Sequence, residues 1–330
     1  MISTFTESSH IDFLVASPRV YSCTEAARVQ PEGTFMAAHD SINRFLYRVQ
    51  SSPERHWQEA QTQVVRTRGI LVLDDSLLDK PYARQIALVY RQWSGKHHRV
   101  VQGIDLISLL WSDGDRHVPV DWRIYDKPHD HATKNDHFVS MIDTAHARGF
   151  TPECVAFDSW YASLANLKRV RDHQWIWLTR LKSNRLVNPD DMGNRAIGTL
   201  DLPEEGQVVH LKGYGFIKVF KRVAPNGDSE YWATNDLQMN ELTRLKYAQY
   251  ANTIEQYHRG IKQFCGIERC QVRGARAQRA HIGLALRAFL RIESYCFHAG
   301  ISWFTAKFQI IRGAVRNYLV QPAYFLSGSA

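Results

Sequence analysis

The stretch Leu71-Val72-Leu73-Asp74-Asp75-Ser76 constrains this chain more than any other. Consecutive branched apolar residues read as a buried strand, and the acids that end the run sit where a sheet meets solvent. Open α/β sheets keep their chemistry at such strand ends. Cys154-Val155-Ala156-Phe157-Asp158 repeats the pattern, and a hydroxyl residue, Ser159, again follows the acid.

A third acid, Glu255, lies on what reads as one long helix. Helical spacing puts Glu255, His258, Arg259 and Lys262 on one face, while Tyr250, Ile254, Tyr257, Ile261 and Phe264 form the adjoining apolar stripe. Two strand-end aspartates and a helix-borne glutamate are what a two-metal phosphoryl-transfer site needs. Hard cations such as Mg²⁺ take oxygen ligands, and a pair about 3.5–4 Å apart activates the attacking oxygen and stabilises the leaving one. Any one of these acids alone is ordinarily a turn or capping residue, or an i, i+4 ion-pair partner. Three in order, in matching contexts, point to a site.

The rest of the composition fits a polyanionic partner in a reducing compartment. Among 330 residues, 41 Lys and Arg against 33 Asp and Glu leave a formal charge of +8. Five cysteines, an odd number in a long chain, argue against a disulfide framework. Cys265 and Cys270 near His258 lack a CxxC pair, so reduced thiols are favoured over zinc. The first ten residues have neither a basic nor an apolar leader segment, and no apolar run approaches the roughly 18 residues of a membrane span.

Along the chain, residues 1–65 read as an N-terminal helical region. It has a short helix at Thr24–Arg28, a turn at Pro31-Glu32-Gly33, a second helix from about Thr34 through Val49, and a third near Glu54–Val65. With Arg44 and Arg48 on the second helix, this suits either helix-turn-helix DNA recognition or a helical cap on the core. Residues 66–183 read as the first part of the core. Strands are expected at Ile86–Arg91, Val100–Trp111 and His117–Tyr125, with turns at Ser94-Gly95-Lys96 and Ser112-Asp113-Gly114-Asp115. A helix from Lys134 to Arg148 ends at Gly149; the Asp158 strand, a helix at Leu164–Asp172 and a strand at Trp175–Arg180 follow. Residues 184–230, rich in Gly, Pro and Asn, read as a β-rich insertion. Residues 231–330 return to the core with the Glu-bearing helix. The last helix, Ala277 to about Ser302, buries Ile282, Leu284, Leu286, Phe289 and Leu290, with Arg273, Arg276, Arg279, Arg287 and Arg291 as a basic track around it.

Three motifs taken together, Asp74-Asp75-Ser76 with Lys80 downstream, Phe157-Asp158-Ser159-Trp160-Tyr161, and Ile254-Glu255-Gln256-Tyr257-His258-Arg259-Gly260-Ile261-Lys262, resemble bacterial insertion-sequence transposases of the DDE type. The resemblance is to the branch with a ribonuclease-H-like core and a β-strand insertion between the second Asp and the Glu. It implies an α/β fold: a ribonuclease-H-like mixed sheet flanked by helices, an inserted small β subdomain and an N-terminal helical region. The order of three strands, a helix and a fourth strand, with acids ending the first and fourth, agrees with it. It also implies Asp75, Asp158 and Glu255 as catalytic residues and ligands of two Mg²⁺ or Mn²⁺ ions. Asp75 is taken over Asp74 because the family's ligand directly precedes the hydroxyl residue. Lys262, Arg259, His258 and Lys80 are implied as phosphate contacts, and Trp232 and Trp160 as base-stacking residues. The implied partners are double-stranded DNA, as element terminal inverted repeats and as target, and a second copy in a homodimer once the ends are synapsed. The implied location is the bacterial cytoplasm at the nucleoid. Relatives carry Tyr seven and Arg four residues before the Glu; here those positions are Ala248 and Ala251, while Lys262 matches seven residues after. Two alternatives stand beside this reading: a metal-dependent DNase without strand transfer, and a domesticated DNA-binding protein that does not cut.

Overall fold

The apolar run at Leu71 is the core of a ten-residue strand in the computed structural model, which describes residues 5–31, 36–95, 97–223 and 227–322. In chain order, four helices come first: α1 (Glu7–Ala16), α2 (Cys23–Arg28), α3 (His39–Arg48) and α4 (Pro53–Ala60). Strands β1 (Ile70–Asp79), β2 (Tyr90–Ser94), β3 (Arg99–Ser112) and β4 (His117–Tyr125) lead to α5 (Lys134–Ala147). β5 (Cys154–Phe157), α6 (Leu164–Asp172) and β6 (Trp177–Leu181) follow. Next are β7 (Leu186–Asn188), β8 (Arg195–Ala196), β9 (Gln207–Leu211), β10 (Gly215–Val223) and β11 (Ser229–Thr234). The chain closes with α7 (Glu241–Ala251), α8 (Thr253–Phe264), α9 (Ala275–Ala299) and α10 (Trp303–Val320).

These elements divide into two units, residues 53–81 with 89–258, and residues 1–52, 82–88 and 259–330. The first holds an eleven-stranded sheet running β2-β3-β1-β5-β6-β11-β10-β9-β7-β8, with β4 paired to β3. β1 lies between β3, antiparallel, and β5, parallel. Ile70, Leu71, Val72 and Leu73 are all buried, which is why the sequence shows an uninterrupted apolar run instead of alternation. The residues expected to form a separate β subdomain extend this same sheet: β11 pairs antiparallel with β6, from Tyr231 opposite Leu181 to Thr234 opposite Leu178.

Several boundaries differ from the sequence expectation for physical reasons. Ile86–Arg91 is not a strand; the strand is Tyr90–Ser94, preceded by Leu88 at φ 70°. The backbone N–H of Ala87 donates to the carbonyl of Arg273 at 2.8 Å, so that segment belongs to the helical unit and not to the sheet. The expected long helix around Glu255 is two helices, α7 and α8, with Asn252 between them and the Thr253 hydroxyl donating back to the Tyr250 carbonyl at 2.5 Å. The expected region 1–65 also divides, because α4 sits in the sheet unit, where its His56 Nε2 lies 2.6 Å from the Pro119 carbonyl oxygen. The turn residues Glu32, Gly33, Thr34 and Lys96 lie outside the described residues.

The β3–β4 turn is as the sequence predicts, and Gly114 shows why it takes that residue. Gly114 has φ +100°, and a Cβ there would meet the Tyr250 ring of α7 at 2.6 Å. Gly114→Ala is therefore expected to cost about 2–4 kcal/mol through backbone strain and overpacking together. Urea unfolding measures it; an unchanged midpoint would show that α7 yields freely.

In the helical unit, α9 is buried nearly all round from Ala277 to Leu290. The buried Ile282, Leu284, Leu286, Phe289 and Leu290 are the ones the periodicity predicts. Phe5, His10 and Phe45 pack as a ring cluster that meets α9 through His281. Arg287 pairs with Glu7 and Arg291 with Asp12, the latter at 3.1 Å, so two of the five arginines expected along a DNA track tie α9 to α1.

Candidate active site

Adjacent residues on a strand point to opposite faces of the sheet, so the Asp74-Asp75 pair at the end of the buried part of β1 puts one acid on each. Asp74 is opposite Ser108 in the β1–β3 register, and Asp75 is opposite Ile107.

The Asp74 face meets α8. Ser108 Oγ lies 3.2 Å from the Tyr257 hydroxyl, and His258 Nδ1 lies 4.0 Å from Asp74 Oδ2. Ile254 and Tyr257 are buried, which holds the helix down and leaves Glu255, in its first turn, exposed. Asp158 follows Phe157, whose parallel register partner is Leu73, so both strands release their acids at the same level of the sheet. The backbone N–H of Trp160 donates to Asp158 Oδ1 and turns the chain there. Burial pushes the Asp74 carboxyl well above the usual carboxylate range, and the charges of Asp75, Asp158 and Glu255 push it further. Like charges gathered this closely need a counter-charge.

The Asp75 face is different. Asp75 Oδ1 accepts from the Tyr161 hydroxyl at 2.8 Å, and Oδ2 from Lys134 Nζ, also at 2.8 Å. Lys134 Nζ reaches the buried Asp105 as well, at 2.5 Å, and the Tyr90 hydroxyl donates to the same Asp105 oxygen at 3.2 Å. Burial works against the charge on Lys134, but Asp105 and Asp75 outweigh it and raise its pKa. Burial and the charge of Asp75 push Asp105 up to about 7. Strand alternation thus puts Asp74, and not the expected Asp75, on the face that meets α8, while Asp75 pairs with Lys134 on the other.

The other expected residues fall in several places. His258 is buried beside Asp74. Lys80 is only 3% exposed, and its backbone N–H donates to the Gln102 carbonyl at 2.9 Å. Arg259 is exposed and Lys262 pairs with Glu268 at 3.3 Å; both belong to the helical unit, into which α8 continues. Trp160 is 61% exposed, two residues after Asp158. The Trp232 ring carries the guanidinium groups of Arg180, at 5.7 Å, and Arg244, at 5.4 Å, and its Nε1–H donates to Glu230 at 3.1 Å. That ring is engaged by cations and offers a base less than Trp160 does. Cys265 and Cys270 are buried and in no disulfide among the described residues.

Sequence reasoning missed Lys134, Asp105 and the hydrogen bond from Tyr161 to Asp75. The one signal for them was the acid doublet itself, since two adjacent acids on a strand cannot serve one site equally.

The divalent cations implied by this carboxylate pattern can be tested against these groups. Among the described residues, no three His, Cys, Asp or Glu side chains converge tightly enough to enclose an ion by themselves. The donors are nevertheless all hard oxygens, and the upward shift of Asp74 is what cations would relieve. An open, carboxylate-only set completed by water and phosphate oxygens suits Mg²⁺ or Mn²⁺.

A family profile described as "DDE superfamily endonuclease" matches residues 11–196. No curated protein matches the chain. One similar solved structure is a piggyBac transposase synaptic complex with hairpin DNA, at 10% identity and TM-score 0.49, covering 98% of this chain and 83% of that one. Another is a Drosophila P element transposase strand transfer complex, at 12% identity and TM-score 0.29, covering 52% of this chain and 37% of that one. Among the described residues, no helix is long and apolar enough to cross a membrane.

Proposed function

Since the chain belongs to the DDE superfamily endonucleases, we propose that it is a DNA transposase whose catalytic carboxylates are Asp74, Asp158 and Glu255. Members of this family generally use divalent metal ions. The observation that supports the assignment is the β1–β5 register, Leu73 opposite Phe157, which releases Asp74 and Asp158 at one level of the sheet, beside the His258 of α8. The three side chains would hold two Mg²⁺ or Mn²⁺ ions, which, when bound, supply Lewis-acid activation of the attacking oxygen and neutralise charge on the leaving one.

The chain's own residues do the rest by position. His258, beside Asp74, would donate to a phosphate of the scissile strand. Arg259 and Lys262, four and seven residues after Glu255 in α8, are the further phosphate contacts of this reading, the guanidinium as a two-pronged donor and the ammonium as a point charge. The exposed Trp160 indole offers a face to a base displaced from the stack. Water attacks a phosphodiester at the element's end and releases a 3′-hydroxyl; that hydroxyl attacks target DNA in line, displacing a second 3′-oxygen. Neither step needs a covalent protein intermediate. Two element ends cut in concert make a homodimer the working form on DNA.

The test is strand-resolved cleavage and joining of labelled element-end DNA in Mn²⁺, with EDTA and Glu255→Gln as controls. Cleavage and a joined product are expected, and both should vanish with either control while DNA binding persists. Cleavage without joining would make the protein a metal-dependent nuclease. Binding without cleavage, given correct ends, would make it a DNA-binding protein that has lost the chemistry.

A further inference from the structure

Resting on the reading above, we propose that Asp75, Tyr161 and Lys134 form a positioning brace on the reverse face of the sheet, which fixes the separation between Asp74 and Asp158. Asp75 is one peptide bond from Asp74. Tyr161 is three residues from Asp158, and its N–H donates to the Asp158 carbonyl at 3.1 Å, so the turn between them is closed. The 2.8 Å bond from the Tyr161 hydroxyl to Asp75 Oδ1 joins these two short connections into one ring of chain. Within that ring, Asp74 and Asp158 cannot drift apart unless the bond breaks.

The surroundings of the brace are rigid. Tyr161 is fully buried, and its ring stacks on Phe138 with centroids 5.7 Å apart. Asn166 Nδ2 donates both to the Tyr161 carbonyl at 2.9 Å and to Asn135 Oδ1 at 2.7 Å, tying the turn to the start of α5 beside Lys134. Lys134 holds the second Asp75 oxygen and is itself fixed by Asp105. Each oxygen of Asp75 is therefore engaged by a donor, one by the buried Tyr161 hydroxyl and the other by the Lys134 ammonium. Groups of this kind, one shell removed from a metal, orient its ligands and tune its affinity. They act through Asp74 and Asp158 and touch neither cation nor DNA.

The experiment is direct Mn²⁺ binding, read by electron paramagnetic resonance of the free ion and needing no DNA. The variants are Tyr161→Phe, Lys134→Met, Lys134→Arg, Asp75→Asn and Asp74→Asn, each checked for folding by circular dichroism. Tyr161→Phe and Lys134→Met should weaken Mn²⁺ binding by about 10-fold with unchanged stoichiometry. Lys134→Arg should recover part of that loss, and Asp74→Asn should remove a binding event outright. If Lys134→Met fails to fold, Tyr161→Phe, which keeps the ring and its stacking, carries the test. Wild-type affinity in a folded Tyr161→Phe overturns the brace. So does loss of binding in Asp75→Asn with binding kept in Asp74→Asn, which would make Asp75 the ligand and leave the proposed function standing. A wild-type protein that binds no Mn²⁺ overturns the proposed function and the brace together.

Discussion

Asp74→Asn is expected to lower DNA cleavage by on the order of 10³-fold or more, and at the same time to raise the melting temperature of the metal-free protein. The two effects have one cause. Asp74 is pushed toward its protonated form by burial and by Asp75, Asp158 and Glu255, so ionising it in the folded, metal-free protein opposes folding. A carboxylate with a raised folded pKa removes stability above that value and stops doing so as pH falls through it toward the unfolded value near 4. Asparagine never carries the charge, so in EDTA the variant should melt higher, by roughly 2–4 °C for each 1 kcal/mol of repulsion relieved. Its advantage should shrink as the buffer is made more acidic. Saturating Mn²⁺ should reverse the order, because a cation held at 100 times its dissociation constant stabilises the wild type by about 3 kcal/mol and has lost a ligand in the variant. Calorimetry with and without Mn²⁺ reads the crossing. A melting difference of the same sign in both buffers would remove Asp74 from the metal site.

How much of this was legible in the sequence depends on the range over which each feature is written. β1 and β5 could be read because burial on both faces forces an uninterrupted apolar run, and α9 because its buried positions are local. α1 was not read: its buried His10, Ile11, Phe13 and Leu14 do share one face, but the helix has only ten residues and His10 does not look like a core residue. The short strands of the 184–230 stretch were visible as strands, but their continuity with the core sheet was not, since the partner of β11 is β6, about fifty residues earlier. At the site, the three-acid pattern was written locally. The choice within the doublet was not: the position before Ser76 pointed to Asp75, whereas the register against β3 and the contacts of α8 favour Asp74. The partners that occupy Asp75 lie 59 and 86 residues away in the chain, beyond any periodicity.

The helical unit should lose stability on mild acidification, through His10. This imidazole is 2% exposed, surrounded by Phe5, Phe13, Phe45 and His281, and among the described residues neither of its ring nitrogens has a hydrogen-bond partner. Burial, and secondarily the charge of His281, lowers its pKa from 6.5 to about 3. Between those two values the unfolded chain takes up a proton that the folded chain refuses, so folding stability is intact above about pH 6.5 and falls as pH drops toward 3, by roughly 1 kcal/mol per pH unit. Over the pH range 6.5 to 4.5 that amounts to about 2–3 kcal/mol, a large share of the stability of an ordinary domain. His281 faces the same pocket, and its Nε2 lies 3.1 Å from the Gly266 carbonyl oxygen, so it can donate there without a charge. His10→Leu replaces the ring with a side chain of similar volume and no titrating group. Urea unfolding at pH 7 and pH 4.5, followed by circular dichroism, should show a much smaller pH difference in the variant than in the wild type. An equal loss in both proteins would place the acid sensitivity elsewhere, in the ion pairs that Glu7 and Asp12 make with α9.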